Sequence, residues 1–444
     1  MNKGGVLKSL KIGILGFGRE GKSALRYLKR SSQFKNSKIE ILDKKINPNY
    51  LNNLGRFDII FRSPGVPYNL PELKKARKDG VYPRTERGAG GSKKIKKTPR
   101  SGAGVYFSSV TRLFFENYKG KIIGITGTKG KGTTSTLLYE MLKAEGRRVF
   151  LAGNIGKSAI DFLVKYGDYP LAVLELSSFQ LQDLDMSPSV AVILDIFPDH
   201  QDAHSNLREY YEAKENIGKF QKKTDKIFFF ADNQNSSRLA MKSPAKKFPV
   251  NYREFKSFSL GDLKIKGTHN FRNAVMASTL AASLGVKWTT IRAVAEKFKG
   301  LEHRLEFVRR IGVVNFYNDS SSTNPMTTAA AIGTFGKEPK VLIAGGQDKG
   351  LDYSPLFKTL KKHKETTVIL LGKNINKIEK TIRGSGIKIK KTKDLAGAVK
   401  EAYKIAVGHK STANVIFSPG AASFDMFKDY ADRGNKFKKI VKSI

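Results

Sequence analysis

Residues 121–142 decide the fold, and they read KIIGITGTKGKGTTSTLLYEML. An apolar run leads into a glycine-rich turn, and a helical pattern follows from Leu137. The backbone N–H groups of such a turn, together with the N-terminus of the following helix, face a phosphate chain. Lys131 supplies a cation for the terminal phosphates, and a hydroxyl after it holds Mg²⁺. This strand, turn and helix therefore predict a site for a nucleoside triphosphate.

The hydroxyl that would hold the metal is displaced by one residue in this loop. Such loops place Ser or Thr directly after the lysine, whereas here Gly132 intervenes and Thr133 comes next. We predict that Thr133 takes this role. The residues expected to surround the phosphates are Gly127, Thr128, Lys129, Gly130, Lys131, Gly132, Thr133 and Thr134.

Length and composition predict a soluble protein of several domains. The 444 residues are 40% hydrophobic, which is enough for each domain to bury its own core. No stretch approaches the roughly 18 consecutive apolar residues of a membrane helix, and the N-terminus lacks the apolar core of a signal peptide. Because cysteine is absent, disulfides and cysteine nucleophiles are excluded. We expect a cytoplasmic protein with no membrane association.

The net charge of +42 is typical of nucleic-acid-binding proteins. Here, however, single lysines are spread along nearly every helical segment, and no interleaved aromatic motif accompanies them that would stack bases. A lysine-rich, solvated surface accounts for most of the charge, so we expect no specific nucleic acid partner. Such a surface would still attract nucleotides, because they are anions.

A second glycine-rich turn lies near the N-terminus, in residues 11–21 with the sequence KIGILGFGREG. Its glycines have the spacing of a dinucleotide-binding turn. The next apolar run, 39–42, ends at Asp43, where an acidic side chain can meet a ribose or a base. A third run begins at Phe57 and enters a tight turn. The segment predicts a Rossmann-like domain that binds a nucleotide, without indicating which one.

Residues 83–106 interrupt this first domain. They are rich in Lys, Arg and Gly and have no apolar periodicity, and the triplet Gly-Val-Tyr occurs on both sides, at 80–82 and 104–106. We interpret the segment as an inserted, disordered surface loop. A nucleic-acid tether is the alternative.

Strands and helices alternate along the rest of the chain. Apolar runs at 171–176, 190–196 and 226–231 precede a helical run at 270–284, and a further set lies at 341–344, 367–371 and 414–418. Alternation of this kind is typical of parallel sheets covered by helices. The pattern predicts an α/β protein with three domains in series.

Carboxylates and histidines follow two of these strands. Glu175 lies near the end of the run at 171–176, and residues 195–204 contain several acids and two histidines. The carboxyl ends of strands border the ligand crevice of a doubly wound sheet, and Mg²⁺ prefers oxygen ligands, with a histidine nitrogen tolerable as one of them. Glu175 and an acid such as Asp199 are therefore candidate metal ligands. An ion-paired structural acid, and loose capping acids, are the alternatives.

Taken together, these segments resemble the Mur ligases, and among them the D-glutamate-adding members. The matching runs cover nearly the whole chain apart from the insert. They lie at 124–134, 153–156, 174–181, 198–202, 211–214, 267–273, 300–304, 318–320, 323–325, 345–350 and 418–425.

The resemblance implies three consecutive domains: a Rossmann-like, UDP-binding domain over 1–119, a central P-loop ATPase-type domain over 120–302, and a Rossmann-like, amino-acid-binding domain over 303–444. It also implies a reaction. ATP, with Mg²⁺, phosphorylates the terminal carboxylate of UDP-N-acetylmuramoyl-L-alanine, and the amine of D-glutamate displaces the phosphate to form an amide. The implied partners are these small molecules, and the implied state is a monomer.

Roles for individual residues follow from the same resemblance. The catalytic set would be Lys131, His200, Lys214 and Arg304. Metal would be held by Thr133, Glu175, His200 and, if it is carbamylated, Lys214, for which an exposed helix lysine is the alternative. Besides the loop, ATP would meet Asn270, Asn273, Arg304 and Asp319. The UDP-linked substrate would meet Gly18, Arg19, Glu20, Asp43, Ser63, Gly65 and Asn154, and D-glutamate would meet Thr323, Lys349, Ser423 and Phe424.

Three positions depart from the family pattern. Gly132 stands where this ligase usually has Ser or Thr, Ser321 stands where it usually has lysine, and the pair Arg19-Glu20 replaces two small residues. The loop Gly-Lys-Gly-Thr is closer to that of folylpolyglutamate synthases, so another ligase of the superfamily is the nearest alternative. An NAD-dependent oxidoreductase and a basic nucleic-acid-binding protein are alternatives of other classes.

Overall fold

The computed structural model describes residues 9–78, 105–163, 169–197, 204–348, 350–409 and 411–444. The chain divides into two compact units, one formed by Met1–Phe255 and Asn273–Ile291 and the other by Lys256–Arg272 and Arg292–Ile444. Within the described residues, no helix is both long and apolar enough to cross a membrane.

The first sheet is built from buried apolar strands that alternate with helices. All its strands pair in parallel, in the order β2-β1-β3-β4. Its elements are β1 (Lys11–Leu15), α1 (Arg19–Arg30), β2 (Lys38–Leu42), β3 (Ile59–Arg62), α2 (Pro71–Lys78), β4 (Tyr106–Ser109) and α3 (Val110–Asn117).

The central sheet carries the glycine-rich loop that follows β5. It is also parallel, in the order β10-β9-β8-β5-β7-β6. Its elements, with two helices that follow it, are β5 (Ile122–Thr126), α4 (Lys131–Ala144), β6 (Val149–Gly153), β7 (Leu171–Glu175), α5 (Ser178–Leu181), β8 (Val190–Ile193), α6 (Leu207–Lys219), β9 (Lys226–Phe230), α7 (Gln234–Met241), β10 (Lys246–Val250), α8 (Thr268–Ser283) and α9 (Trp288–Lys297).

The third sheet has the order β11-β12-β16-β13-β14-β15, and only its edge pair β11–β12 is antiparallel. Its elements are β11 (Glu306–Ile311), β12 (Val314–Asn318), α10 (Pro325–Gly333), β13 (Lys340–Ala344), α11 (Ser354–Lys362), β14 (Thr366–Leu370), α12 (Ile375–Ile382), β15 (Lys388–Lys391), α13 (Leu395–Val407), β16 (Ala413–Phe417) and α14 (Tyr430–Lys442).

These three sheets confirm the predicted α/β class and its serial organisation. Apolar side chains of the central strands form separate cores, for example around Leu174 and Ile193 in the central sheet and Val341 and Val415 in the third. Burial on both faces is what makes such strands continuous apolar runs, which is why the sequence pattern found them.

The prediction for the insert needs correction, and one edge strand was not predicted. Most of the predicted insert, 83–106, lies outside the described residues, but its last two do not: Val105 and Tyr106 are buried, and Tyr106 begins β4. Both side chains pack in the cores of the first sheet, so the insert prediction was wrong for these two residues. The sequence pattern also missed β15, because its lysines leave an edge strand with almost no apolar signal.

Candidate active site

Each sheet gathers sequence-predicted site residues at the carboxyl ends of neighbouring strands. In the first sheet these ends carry Asp43, Gly18 and Ser63, and in the central sheet they carry the phosphate loop and Glu175. Strand order rather than sequence distance decides which residues meet, since adjacent parallel strands end at the same edge.

The phosphate loop, defined as residues 127–134, joins β5 to α4 through a left-handed residue. Gly130 has φ +85°, and a Cβ there would lie 2.2 Å from Oδ1 of Asn273 on α8. The positive φ favours glycine at this position, and a side chain there would displace the Asn273 amide group. Two residues that the resemblance assigns to ATP, Gly130 and Asn273, are thus brought into direct contact.

Two lysine amines converge on a single carbonyl oxygen of this loop. Lys131 Nζ lies 3.0 Å from the oxygen of Gly127 and 3.2 Å from that of Thr128. Lys214 Nζ, on α6, lies 3.0 Å from the same Gly127 oxygen and 3.5 Å from Thr126 Oγ1. The Lys214 side chain is buried, which excludes the alternative of an exposed helix lysine. The structure therefore brings Lys131 and Lys214 together at the base of the loop.

Thr128 ties the loop to the end of β8 and to α6. Its amide donates to the carbonyl of Asp195 at 2.8 Å, and its hydroxyl lies 2.7 Å from the hydroxyl of Tyr210 and accepts from the amide of Phe197 at 2.9 Å. Tyr210 is fully buried. These bonds fix the path of the loop between two neighbouring strands, and sequence reasoning singled out neither Tyr210 nor Phe197.

Glu175 ends β7 next to the loop and is buried. Its Oε1 accepts a hydrogen bond of 2.9 Å from Nδ2 of Asn154, and its backbone carbonyl accepts one of 2.9 Å from the Asn154 amide. The predicted metal ligand and the predicted contact to the muramoyl-alanine group are therefore adjacent, at the ends of β7 and β6.

Only some of the residues predicted to hold Mg²⁺ present a donor atom that suits this ion. The described residues contain no cluster of three or more acidic or histidine side chains with metal-binding geometry. Glu175 supplies a buried carboxylate and Thr133, in the first turn of α4, a partly exposed hydroxyl, whereas Lys214 is an amine donor unless it is carbamylated. His200 and Asp199 lie outside the described residues.

In the first sheet, the dinucleotide-type turn is closed by the side chains around it. The amide of Phe17 donates to Asp43 Oδ2 at 2.6 Å, and the Ser63 hydroxyl donates to the carbonyl of Gly16 at 2.8 Å. Hydrogen bonds from the amides of Phe17 and Lys45 lower the pKa of Asp43. Asp43 and Ser63 thus meet at the turn, with Gly18 and Gly65 exposed beside them.

Arg19 and Glu20, also predicted to surround the uridine diphosphate, reach the segment after β6. The Arg19 guanidinium donates to the carbonyls of Gly156 at 2.7 Å and Gly153 at 2.8 Å. The Glu20 carboxylate accepts from the Ser158 hydroxyl at 2.6 Å, and burial raises the pKa of Glu20.

In the second unit, the predicted site residue Asp319 is buried among hydrogen-bond donors. It is buried after β12 and accepts hydrogen bonds from the hydroxyls of Ser322 at 2.5 Å and Ser418 at 2.7 Å, and from the amide of Leu305 at 3.0 Å. Burial outweighs these bonds and raises the pKa of Asp319 to about 6. A buried carboxyl held in this way is typical of a functional site.

Arg304 lies between two residues with left-handed backbone. His303 has φ 64° and Leu305 has φ 46°, a conformation that is costly for residues with a Cβ. The Arg304 side chain is exposed, whereas His303 is buried, its Nδ1 lying 2.9 Å from Nδ2 of Asn318. The turn therefore presents the guanidinium outward while its neighbours anchor it, and the Leu305 amide links it to Asp319.

Three of the four residues predicted to bind D-glutamate follow neighbouring strands of the third sheet, Thr323 after β12 and Ser423 and Phe424 after β16. Ser423 is buried after β16, whereas Phe424 and Thr323 are exposed. The Ser322 carbonyl accepts from the Gly420 amide at 2.9 Å, so the segments after β12 and β16 are in contact. Ser321 is partly exposed on the first of these segments. Lys349 lies outside the described residues, and Asn270 is partly buried in the first turn of α8.

The structure also reveals residues that sequence reasoning missed. Arg433, on α14, is fully buried, and its guanidinium donates to the carbonyls of Ala421 at 3.1 Å and Ser320 at 2.9 Å. Burial lowers the pKa of Arg433 to about 10. It thereby joins the segments that carry Asp319 and Ser423. A single basic residue in a lysine-rich helix gives no signal of this role.

The fold is shared with solved ligases. A UDP-N-acetylmuramate–alanine ligase of Thermotoga maritima matches with a TM-score of 0.56 at 18% identity, covering 98% of this chain and 99% of that one. The MurF ligase of Thermotoga maritima, solved with ADP, matches with a TM-score of 0.54 at 17% identity, covering 98% and 96%. A folylpolyglutamate synthase of Mycobacterium tuberculosis, complexed with ADP and AMPPCP, has a TM-score of 0.56 at 13% identity but covers only 74% of this chain and 93% of that one.

Sequence similarity is closer and extends over nearly the full length. The family model for the Mur ligase middle domain matches residues 125–279. A UDP-N-acetylmuramoylalanine–D-glutamate ligase of Acetivibrio thermocellus is 35% identical, covering 99% of this chain and 97% of that protein. The enzyme of the same name from Clostridium acetobutylicum is 32% identical, covering 99% and 97%. The chain therefore belongs to the Mur ligase family, with relatives named UDP-N-acetylmuramoylalanine–D-glutamate ligase.

Proposed function

We propose that this chain is an ATP-dependent ligase that joins D-glutamate to UDP-N-acetylmuramoyl-L-alanine in the synthesis of peptidoglycan precursors. The similarity of nearly the whole chain to ligases of that name supports the choice of substrates. The observation that supports the chemistry is the convergence of two lysine amines on the Gly127 carbonyl, next to a buried glutamate on the neighbouring strand.

The proposed reaction has two steps. A carboxylate oxygen of the alanyl group attacks the γ-phosphorus of ATP, the bond to the β-γ bridging oxygen breaks, and an acyl phosphate and ADP form. The amine of D-glutamate then attacks the acyl carbon, loses a proton, and expels inorganic phosphate. Little covalent work falls to the protein in phosphoryl transfer, so its contribution is positioning and neutralisation of charge.

In this proposal the phosphate loop and the residues beneath it do that work. Lys131 supplies positive charge to the terminal phosphates, and α4 directs its N-terminus toward the same anions. Thr128, held by Tyr210 and Phe197, keeps the loop in one conformation, which reduces the reorganisation needed during phosphoryl transfer. Arg304 is proposed to stabilise the transferring group, because a guanidinium fork matches phosphate oxygens.

Each of the three sheets is proposed to serve one ligand, within domains bounded as 1–119, 120–302 and 303–444. The first would bind the uridine diphosphate through Gly18, Glu20, Asp43, Ser63 and Gly65. The second would bind ATP, and the third would bind D-glutamate through Thr323, Lys349, Ser423 and Phe424. Asn270, Asn273 and Asp319 are proposed to contact the nucleoside of ATP.

A Mg²⁺ ion is part of the proposal, with Thr133, Glu175, His200 and carbamylated Lys214 as the residues that would hold it. Oxygen donors dominate this set once the lysine carries a carbamate, and that is the donor chemistry that Mg²⁺ prefers. When bound, Mg²⁺ neutralises phosphate charge during transfer. The buried position of Lys214, beside the loop and away from water, suits a lysine whose amine has reacted with CO₂.

Phosphate release measures the proposed reaction directly. We expect ATP turnover only when UDP-N-acetylmuramoyl-L-alanine and D-glutamate are both present, with other amino acids tested singly. Turnover that needs neither compound would contradict the proposal. Turnover with L-lysine, or with a folate and glutamate, would assign the chain to another branch of the superfamily.

An oxygen label tests the acyl phosphate. If the substrate carboxylate is labelled with ¹⁸O, one labelled oxygen should appear in the released phosphate, because the carboxylate oxygen attacks the γ-phosphorus. Unlabelled phosphate would exclude this intermediate. The measurement is mass spectrometry of the phosphate after a single turnover.

Replacing Lys214 tests the carbamate. Lys214→Ala should lower kcat by about 100-fold, the loss typical of removing one electrostatic contributor, and short carboxylic acids added to this variant should restore part of the rate. Lys219→Ala, at the exposed end of the same helix, is the matched control and should keep the wild-type rate. A fully active Lys214→Ala protein would refute the carbamate.

A further inference from the structure

The first turn of α1 holds a second turn, residues 153–156, that follows β6. Arg19 spans this turn: one Nη atom donates to the carbonyl of Gly153 at 2.8 Å and the other to the carbonyl of Gly156 at 2.7 Å. The planar guanidinium fork suits two acceptors placed side by side, and a lysine amine has no such fork.

The turn it holds is constrained by its own backbone. Gly153 has φ +106°, and a Cβ there would lie 2.3 Å from the carbonyl oxygen of Glu175. Gly156 has φ +66°, and the amide of Gly153 donates to the carbonyl of Lys157 at 3.2 Å. The two carbonyls that Arg19 binds are therefore the two ends of a closed, glycine-dependent turn.

Asn154 is the polar residue inside that turn. Its amide and its side-chain Nδ2 donate to the carbonyl and to Oε1 of Glu175, each at 2.9 Å. A continuous chain of hydrogen bonds thus runs from Arg19 through the turn to Asn154 and Glu175. The position of Asn154 depends on where the turn is held.

Other contacts of α1 fall beyond the turn. Glu20 binds Ser158, and Arg26 and Ser23 bind Asp161, the Arg26 guanidinium at 2.7 Å and the Ser23 hydroxyl at 2.9 Å. These bonds join the helix to the following segment without touching residues 153–156. They provide a comparison for Arg19 on the same helix and in the same interface.

We propose that Arg19 is a positioning residue, which fixes the turn at 153–156 and through it Asn154, so that the muramoyl-alanine part of the substrate meets a preset amide. This assignment rests on the proposed function, and it replaces a direct contact of Arg19 with the uridine diphosphate. One N–H of each Nη atom donates to the turn, so the Nη edge of the guanidinium is directed at protein.

A positioning role and a direct contact with UDP differ in their effect on two quantities, the KM for UDP-N-acetylmuramoyl-L-alanine and the Kd for UDP. A direct contact would change both together. Arg19→Ala should raise the KM for UDP-N-acetylmuramoyl-L-alanine by about tenfold, the effect of losing charge-assisted hydrogen bonds of roughly this strength. The Kd for UDP alone, measured by calorimetry, should stay within about twofold, because UDP lacks the part that Asn154 would meet. Arg19→Lys should have a KM between those of Arg19→Ala and the wild type, since one amine cannot bridge both carbonyls.

Arg26→Ala is the matched control. It removes an arginine from the same interface, and it should leave both the KM and the Kd for UDP unchanged while lowering the melting temperature as much as Arg19→Ala does. Equal KM changes in Arg19→Ala and Arg26→Ala would show that Arg19 only stabilises the fold and does not position Asn154. An equal loss of UDP and substrate affinity in Arg19→Ala would show that Arg19 touches UDP. An unchanged KM in Arg19→Ala would refute the proposal.

Hydrogen exchange separates this proposal from the proposed function. In Arg19→Ala the amides of Gly153 and Asn154, which donate to the carbonyls of Lys157 and Glu175, should exchange about tenfold faster, whereas Arg26→Ala should leave them unchanged. If the wild-type protein shows no ligase turnover, the function fails while exchange still tests the turn. Unchanged exchange in Arg19→Ala would overturn the role of Arg19 in either case.

Discussion

Two glycine-rich turns in this chain follow the same pattern of strand, turn and helix, yet they are completed by opposite charges. After β1, the turn is closed by the Asp43 carboxylate, which accepts the amide of Phe17 at 2.6 Å. After β5, two amines, from Lys131 and Lys214, converge on the Gly127 carbonyl at 3.0 Å. The first turn is completed by an anion and the second by cations, so only the second suits a triphosphate.

The glycines themselves also serve different purposes. In the first turn, a Cβ at Gly21 would lie 2.1 Å from the carbonyl oxygen of Gly16, so the glycine permits close backbone packing. In the second, Gly130 has φ +85° and faces the side chain of Asn273. A glycine motif thus specifies backbone shape, and residues from other elements determine the chemistry. In this molecule those residues come from the end of β2 in one case and from α6 in the other.

Replacing Lys131, the lysine of the phosphate loop, should cause the largest loss of activity. Lys131→Ala should lower kcat by about 1,000-fold, because a preorganised charge at the site of developing phosphate charge contributes several kcal/mol to catalysis. Steady-state ATP turnover with both substrates present measures it.

Lys143→Ala, on the exposed last turn of the same helix, controls for the loss of one positive charge and should keep the wild-type rate. Equal rates in the two variants would show that general basicity, rather than the position of Lys131, matters. The contrast between the two turns would then lose its functional meaning.

Particular residues show how much of the fold and of the candidate site could be predicted from the sequence. The loop around Gly130 and the strand that ends at Glu175 were predicted, because both signals are local runs of apolar and glycine residues. The burial of Lys214 and Asp319 was not, because it depends on packing between elements far apart in the chain. The strained backbone at His303 and Leu305 left no sequence signal either, since neither is a glycine.

The carboxyl groups of Asp43 and Asp319 also differ, in the direction in which their pKa values are shifted. Amide donors lower the pKa of Asp43, whereas burial raises that of Asp319 from 3.8 to about 6. The folded state therefore binds the Asp319 proton more tightly than the unfolded state does. Its contribution to stability is complete below pH 4 and is lost as the pH rises through about 6. At neutral pH the fold carries an ionised, buried carboxylate at a cost.

Asp319→Asn should remove the loss of stability that accompanies the ionisation of Asp319. The free energy of unfolding of the variant, relative to wild type, should increase by about 2.5 kcal/mol between pH 4 and pH 7, which is most of the free energy of a shift of about two pKa units. Urea unfolding at a series of pH values measures the difference. Asp352→Asn should give the opposite sign, because hydrogen bonds from Ser354 lower the pKa of Asp352. A difference independent of pH for Asp319→Asn would contradict the assignment.

Alanine at one glycine of each turn should separate packing from backbone conformation. Gly21→Ala should destabilise the protein by about 2–3 kcal/mol, since a backbone carbonyl cannot move away. Gly130→Ala should cost about 1–2 kcal/mol for its positive φ, and it should also weaken ADP binding because Asn273 must move. Calorimetric melting and ADP titration measure both. Equal destabilisation, with ADP affinity unchanged in both variants, would show that the two glycines have the same role.

The smallest effect should come from the anion of the first turn. Asp43→Asn keeps one acceptor oxygen but loses the other, so either the Phe17 or the Lys45 amide loses its partner, at a cost of about 1 kcal/mol. If Asp43 also meets the ribose or base of UDP, the Kd for UDP should rise by about fivefold. Calorimetry with UDP and thermal melting of the same variant separate the two effects. A lower melting temperature with an unchanged Kd would mean that Asp43 only closes the turn, and that the two turns differ in whether their charged partners reach the ligand at all.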